Sequence, residues 1–395
     1  MSNPTKHGNV LSWASDIEAN TIEQAQRTAN LPFIDGHVAL MPDAHLGYGS
    51  TVGSVIPTRG AIIPAAVGVD IGCGMIAVET PLTSTTLPDN LDELHNRITR
   101  AVPAGVGKGH QTDARTRGGK TDLGKFFDRI PDGGDLDRAV KQMGSLGSGN
   151  HFVEVCLDER DVVWVVLHSG SRGIGKMIAD IHIAEAKGLM ARYFIDLPDP
   201  DLAYLVEGTP EFDAYIKAMQ WAQDYAMTNR DLMMDAVMAE LRTAVRPNHD
   251  GSSWFDEVAR INCHHNYTAR ENHKGHNVWV TRKGAIRARE GDRGVIPGSM
   301  GTRSYIVSGL GNASSYHSCS HGAGRRMSRS AARRELDVAG LVTSMDGKAW
   351  DSTKAETLID EDPRSYKDID VVMEDQADLV SIDHTLSQIL NYKGT

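Results

Sequence analysis

Histidine is the residue type from which the chemistry of this chain is best read. There are 16, and most fall in short glycine- or serine-rich contexts rather than on regular apolar faces. His151 ends SLGSGNH, His168 ends the apolar run VVWVVLH, His264 and His265 sit in INCHHNY, and His321 sits in SCSHGAGRR. Any one of them alone would be an ordinary structural histidine. In succession at strand–loop boundaries, flanked by small or amide side chains, they read as metal ligands, because neutral imidazole suits several transition metals. The segment Asp70-Ile71-Gly72-Cys73-Gly74 adds a carboxylate and a thiol on a glycine-hinged turn. A metal would hold that sulfur as thiolate, and the glycines let the backbone close in without a Cβ clash. Asp70, Cys73 and three histidines are too many ligands for one tetrahedral structural zinc and furnish two adjacent metal sites.

His321 has a different setting. Gly322-Ala323-Gly324 follow it, and then Arg325, Arg326, Arg329, Arg333 and Arg334. If 325–334 is helical, Arg325, Arg329 and Arg333 share one face. A histidine on a glycine-rich loop before an arginine-rich helix suits covalent work on a phosphate, with backbone N–H groups and guanidinium charge to hand. The competing reading is a solvated basic helix with a capping histidine. Other motifs fail at a needed residue. GSRGIGKM at 170–177 places Met177 where a phosphate loop needs a hydroxyl, and no G-x-G-x-x-G follows a strand. Cys263 precedes two histidines, yet it reads as a buried structural thiol, as does Cys156 on an apolar strand.

The elements that must position these residues are short strands and two long helices. Residues 37–80 read as apolar runs (HVALM, GSVIP, AIIPAAVGV, MIAVE) cut by glycine and proline, hence several short buried strands. HFVEVCL at 151–157 and VVWVVLH at 162–168 predict a strand pair joined by a turn at Asp158–Asp161. Apolar spacing turns helical from Gly175 to about Phe194 and again over about 211–245, with Met219, Met227, Met233, Met234 and Met238 read as core. Strand-like runs return at 277–289 and 304–311. The stretch 108–135 reads as a long exposed insertion, and the last 60 residues as polar and helical. The pattern predicts an α+β fold: one large domain over 1–395, a β-rich body with a helical insert at about 175–260.

Composition bounds the function. A chain of 395 residues can bury a large core, and 24% charged with 40% hydrophobic residues excludes a wholly disordered protein. No run approaches the ~18 apolar residues of a membrane span. The N-terminus lacks the apolar stretch of a signal peptide, and four cysteines do not make a disulfide framework, so a reducing cytoplasm is expected. A net charge of −11 argues against bulk attraction to nucleic acid but allows a local basic groove.

Taken together, the motifs resemble those of the RtcB family of RNA-splicing ligases. The segments that carry the resemblance are MPDAHLGYGSTVGSVIPTRGAIIPAAVGVDIGCGM (41–75), LGSGNHFVEVCLDE (146–159), LHSGSRGIG (167–175), INCHHNY (261–267), VTRKGA (280–285), IPGSMG (296–301) and SCSHGAGRRMSR (318–329), with Lys393-Gly394 near the end. They span nearly the whole chain. Ala44 stands where relatives commonly carry valine, and Thr395 extends the chain past the terminal Lys-Gly.

The resemblance implies the ligase fold of that family, GTP and two Mn²⁺ ions as cofactors, and RNA ends as substrates. An RNA 3′-phosphate or 2′,3′-cyclic phosphate would be joined to a 5′-hydroxyl, with archease as a candidate helper and no membrane involved. Asp70, Cys73 and His151 would hold one metal, and Cys73, His168 and His265 the other. His321 would be guanylylated. Asn150, His151, Phe152, Val153, Glu154, His265, Asn266, Pro297, Gly298, Ser299, Met300, Ser304, His321, Gly322, Ala323, Gly324 and Lys393 would contact the guanylate. Arg172, Lys283 and Arg325 would meet RNA phosphates. The alternatives are a metal-dependent RNA-end phosphoesterase without ligation, and a non-enzymatic RNA-end-binding protein with a structural metal.

Overall fold

Apolar runs too short for helices and bounded by glycine build the frame of the protein. The structure, a computed structural model, describes residues 4–116, 123–245 and 255–394. A seven-stranded sheet runs in the order Ala259–His264, Gly74–Thr83, Val162–Ser169, Phe152–Leu157, Val380–Lys393, Ser304–Gly309 and Arg293–Pro297, every pair antiparallel. Alternate side chains of its central strands enter two different cores. Ile76, Val78, Val153, Val155, Val165 and Leu167 pack with Met233, Met234, Val237, Met238 and Leu241. Met75, Ala77, Cys156, Trp164 and Val166 pack on the other face with Val295, Ile306 and Leu386.

A six-stranded sheet follows the order Thr5–His7, Val10–Ser12, Val38–His45, Val52–Thr58, His276–Lys283 and Asn266–His273. Only the Val10–Ser12 and Val38–His45 pair is parallel. Two long helices, Arg172–Arg192 and Pro210–Val245, lie between the strands Val162–Ser169 and Ala259–His264. The second buries Met219, Met233, Met234 and Met238 completely and Met227 in part. Among the described residues, no helix is long and apolar enough to cross a membrane.

Four sequence expectations need correction. AIIPAAVGV is a two-residue strand, Ala61–Ile62, followed by the helical turn Pro64–Val67. Proline at the first helical position sets the backbone for that turn. The stretch 108–135 is not simply exposed: Ala114, Leu123, Phe126 and Phe127 are buried, and Phe126 stacks on Trp221 of the long helix; residues 117–122 lie outside those described. The C-terminal region has the helices Val338–Ser344 and Ile369–Asp375, but it ends in the 14-residue strand Val380–Lys393. Its apolar residues bury against neighbouring strands, which outweighs the polar composition. Finally, the helix after His321 spans Arg329–Glu335 and leaves Arg325 outside it, bridged to Tyr366.

Candidate metal and nucleotide site

Antiparallel pairing explains why residues far apart in the chain meet. Cys73 precedes the strand Gly74–Thr83 and His151 precedes Phe152–Leu157, whereas His168 lies near the end of Val162–Ser169 and His265 follows Ala259–His264. Two strand starts and two strand ends therefore fall on one edge of the sheet. The register puts Gly74 opposite both Ser169 and His264, and Phe152 opposite His168. The close approach depends on glycine. A Cβ on Gly74 would lie 2.0 Å from the Cys263 carbonyl oxygen, and Gly72, at φ +75°, packs against the long helix at Gln223 and Ala226.

At that edge the Cys73 Sγ lies 3.4 Å from His151 Nε2 and 3.3 Å from His168 Nε2. His168 Nε2 is 3.3 Å from His265 Nε2, and Asp70 Oδ2 is 3.2 Å from His151 Nε2. The outer nitrogens fix the tautomers. His151 Nδ1 lies 2.9 Å from the Leu146 carbonyl and His168 Nδ1 3.2 Å from that of Asn150. A carbonyl only accepts, so each Nδ1 bears a proton and each Nε2 is turned inward, that of His168 towards the sulfur and His265, that of His151 towards the sulfur and the Asp70 carboxylate. Burial, reinforced by the neighbouring histidines, pushes His168 and His265 well below the usual imidazole range. Burial and the adjacent Asp70 charge push the Cys73 thiol up. Imidazole nitrogens, a thiol sulfur and a carboxylate gathered this closely form a donor set that fits a cation once the thiol gives up its proton. Borderline N/S ligands with a carboxylate suit a transition metal.

Behind the donors stands a pair of side chains on the long helix that sequence reasoning missed. Arg230 is fully buried and donates to the carbonyls of Gly72 and Ser169 at 2.8 and 3.0 Å and to Asn262 Oδ1 at 2.7 Å. Asn229 accepts from the Gly144 N–H at 2.6 Å and donates to the Gly170 carbonyl at 3.1 Å. Both satisfy backbone groups that the turning strand ends leave unpaired. Their signal was an amide and a guanidinium inside the buried stripe that runs from Tyr225 to Met234.

His321 sits beside this centre, its ring centroid 4.8 Å from that of His265. Asp43, completely buried, holds it: Oδ2 accepts from His321 Nδ1 at 2.6 Å, from the His321 N–H at 3.1 Å and from the Gly322 N–H at 3.2 Å. Burial alone would raise the Asp43 carboxyl, but His321 outweighs it and the group lies below its ordinary value. The carboxylate fixes the proton on Nδ1 and leaves Nε2 as the free lone pair. Asp43 was also missed, although a charged residue within the apolar strand VALMPDAH was a visible anomaly.

A cavity of about 320 Å³ opens in front of these groups. Asp70, Cys73, His168, His265 and His321 border it, with Asn150, Phe152, Glu154 and Asn266 and the loops Pro297–Met300 and Gly322–Gly324. Lys283, Arg325 and Lys393 contribute positive charge. Glu154 and Phe152 share a face of their strand, and His151 lies before the strand begins. Burial pushes the Glu154 carboxyl up to about 8, and Asn391 Nδ2 donates to it at 2.8 Å. Not every expected contact borders this space. Val153 points into the core, Ser304 is wholly buried, and His151 and Arg172 line a neighbouring cavity. The Arg172 guanidinium donates to Ser145 Oγ and to the Gly105 and Lys108 carbonyls at 3.1–3.4 Å. Lys283 Nζ bonds to the Tyr48 and Ala65 carbonyls, and burial pushes it down to about 7. Arg325 donates to the Tyr366 hydroxyl and to the Asp360 and Met327 carbonyls.

Fold and site together describe a mixed α/β protein in which a sheet edge gathers a metal-capable Cys/His cluster beside a carboxylate-held histidine and a nucleotide-sized cavity. The family model for tRNA-splicing ligase RtcB matches residues 24–394. The RNA-splicing ligase RtcB of Escherichia coli (strain K12) is 46% identical over 408 aligned residues, covering 99% of this chain and 98% of the relative. The tRNA-splicing ligase RtcB of Nanoarchaeum equitans is 31% identical, covering 90% and 87%. The RNA-splicing ligase RtcB of Mycobacterium tuberculosis is also 31% identical, covering 89% and 95%. The chain belongs to the RtcB family of RNA-splicing ligases.

Proposed function

We propose that this protein is an RNA ligase that consumes GTP, uses Mn²⁺, and joins RNA 3′-phosphate or 2′,3′-cyclic phosphate ends to 5′-hydroxyl ends through a guanylylated His321. The observation that carries the reading is the Asp43–His321 pair set against the Cys/His donor cluster. With the Nδ1 proton held at 2.6 Å by a buried carboxylate, Nε2 is the one lone pair of His321 that can attack a phosphorus. Asp43 would also stabilise the positive charge that develops on the ring as the P–N bond forms. Asp70, Cys73 and His151, and Cys73, His168 and His265, are the two ligand sets, with the thiolate shared. Two Mn²⁺ ions bound there would neutralise phosphate charge and activate water to open a cyclic phosphate.

The chemistry balances in three transfers. His321 Nε2 bonds to the α-phosphorus of GTP and pyrophosphate leaves. An oxygen of the RNA 3′-phosphate then takes the guanylyl group and the P–N bond breaks. The 5′-hydroxyl attacks the activated 3′-phosphate, loses its proton, and expels GMP. Glu154 and Lys393 flank the base end of the cavity, and the backbone N–H groups of the 321–324 loop serve the phosphates. RNA is the substrate class, and a reducing cytoplasm the expected compartment. Archease remains the helper to test.

Incubation with α-³²P-GTP and Mn²⁺ decides between readings. The ligase retains acid-labile label on the protein, and His321→Ala does not. A phosphoesterase on the same centre would release phosphate from RNA ends without any label. An RNA-end-binding protein would do neither.

A further inference from the structure

The C-terminal lysine that borders the nucleotide cavity is held from behind. Lys393 Nζ lies 2.7 Å from Glu361 Oε2 and 5.2 Å from the centroid of the Phe152 ring. Glu361 is 2% exposed and stands behind the wall that Arg325, Arg329, Tyr366 and Lys393 present to the cavity. The Tyr366 hydroxyl donates to the same Oε2 at 2.8 Å, and Arg329 Nη1 reaches Oε1 at 2.5 Å. The adjacent Asp360 takes Arg329 and Arg333, at 2.7 and 3.2 Å. One buried carboxylate thus ties together three segments distant in the chain: the arginine-rich stretch after His321, the turn at 359–366 and the last strand.

The strand register gives this hub a chemical consequence. Lys393 pairs with Phe152 and Asn391 with Glu154, so Lys393 and Glu154 face the cavity about one strand repeat apart. Once ionised, Glu154 offers only acceptors, and Lys393 only donors. Guanine presents the complement, with N1–H and an exocyclic amine beside the O6 acceptor. Adenine reverses it, placing an amine where O6 would be. An ammonium selects O6 only if it is fixed in place, since a lysine on four rotatable carbons otherwise turns away.

We propose that Glu361 is the positioning residue for base recognition, fixing the Lys393 ammonium where it accepts guanine and rejects adenine. This rests on the guanylate reading of the cavity. Glu361 touches no nucleotide and acts through Lys393.

The test is equilibrium dialysis of GMP and AMP against the full-length protein and its Glu361→Gln variant, with thermal melting to confirm folding. Glu361→Gln keeps the side-chain shape but removes the charge. GMP binding should weaken about tenfold or more while AMP changes less than about twofold, so the GMP/AMP preference falls. Labelling of His321 at saturating GTP should stay within about threefold of wild type, because Asp43 and His321 are untouched, while the half-saturating GTP concentration rises. Glu361→Gln added to Lys393→Met should cost no more than Lys393→Met alone. A folded Glu361→Gln protein with wild-type GMP affinity and preference overturns the proposal, as do losses that simply add in the double variant. Should Glu361→Gln fail to fold, Tyr366→Phe decides: it removes a hydrogen bond to the same carboxylate oxygen and should lower the preference in the same direction, and an unchanged preference overturns the idea. Wild-type protein that neither binds GMP nor takes label removes the ligase reading as well, whereas normal wild-type binding with an unchanged variant removes the Glu361 role alone.

Discussion

Asp43 decides which nitrogen of His321 is free, so the two residues should fail differently when changed. His321→Ala should abolish labelling by GTP while leaving fold and metal content intact, because the side chain is proposed as a nucleophile and not as a ligand. Asp43→Asn keeps the shape, and its amide oxygen can accept from the same three N–H groups, but it removes the charge that stabilises the ring as it becomes positive during P–N bond formation. Single-turnover guanylylation should fall by on the order of 10²- to 10³-fold, with metal content unchanged. A wild-type rate in Asp43→Asn would show that the carboxylate charge does not assist the attack. Glu154 carries a separate prediction about pH. Burial raises its carboxyl from 4.5 to about 8. Between those values the folded protein keeps a proton that the unfolded chain has released, so stability falls as pH rises through the window. The slope is at most about 1.4 kcal/mol per pH unit. Glu154→Gln, which cannot ionise, should melt with wild type at pH 4 and progressively above it towards pH 8, in nucleotide-free protein. A melting difference that does not change with pH would mean that Glu154 is ionised in the folded state.

Elements matter here through their ends. The proposed metal donors are legible in the sequence because each sits where an apolar run meets glycine, serine or asparagine: DIGCG, SGNH, LHSG and CHHN all mark strand boundaries. What brings those boundaries together is antiparallel register across four strands, which no local pattern encodes. The same limit hid Asp43, Asn229, Arg230 and Glu361, whose roles are defined by partners up to hundreds of residues away. It also hid the final strand, whose polar residues Ser381, Asp383 and His384 mask a buried set that includes Leu386, Leu390 and Tyr392. The arginines after His321 show the reverse case. Arg329 and Arg333 share a helix face as spacing predicts and meet the same Asp360, whereas Arg325 reaches that neighbourhood from outside the helix. At this scale Cys73 is the most consequential side chain, since it directly precedes the strand that lies between those ending at His264 and near His168, and lies within 3.4 Å of two histidine nitrogens. Cys73→Ala should lose more bound metal than any single histidine change, measured by elemental analysis after Mn²⁺ loading and gel filtration. Cys156→Ala and Cys319→Ala, buried thiols outside the cluster, should retain it. Full occupancy in Cys73→Ala with ligation retained would remove its role as the shared ligand.

For the whole molecule, a metal held by the proposed donors would join the sheet edge to the rest of the fold and make stability dependent on metal. The donors span Asp70 to His265 in sequence, so the unfolded chain cannot present them together and binding favours the native state alone. At a free Mn²⁺ concentration a hundred times the dissociation constant, one site adds about 2.7 kcal/mol. For a chain of this length that amounts to a rise of a few degrees in melting temperature, growing with the logarithm of metal concentration. The direction with pH also follows. Burial and Asp70 hold the Cys73 thiol protonated in the metal-free protein, so loading must displace that proton and the stabilisation should increase from pH 6 to pH 8. Differential scanning fluorimetry with chelator and with graded Mn²⁺ at both pH values tests this, using Cys73→Ala as the comparison. The shift should vanish in that variant and persist in His321→Ala, whose side chain lies beside the cluster and is not among the proposed ligands. A Mn²⁺-dependent shift of equal size in Cys73→Ala would place the stabilising ion elsewhere on the protein, and the sheet edge would then be a structural cluster and not the metal centre.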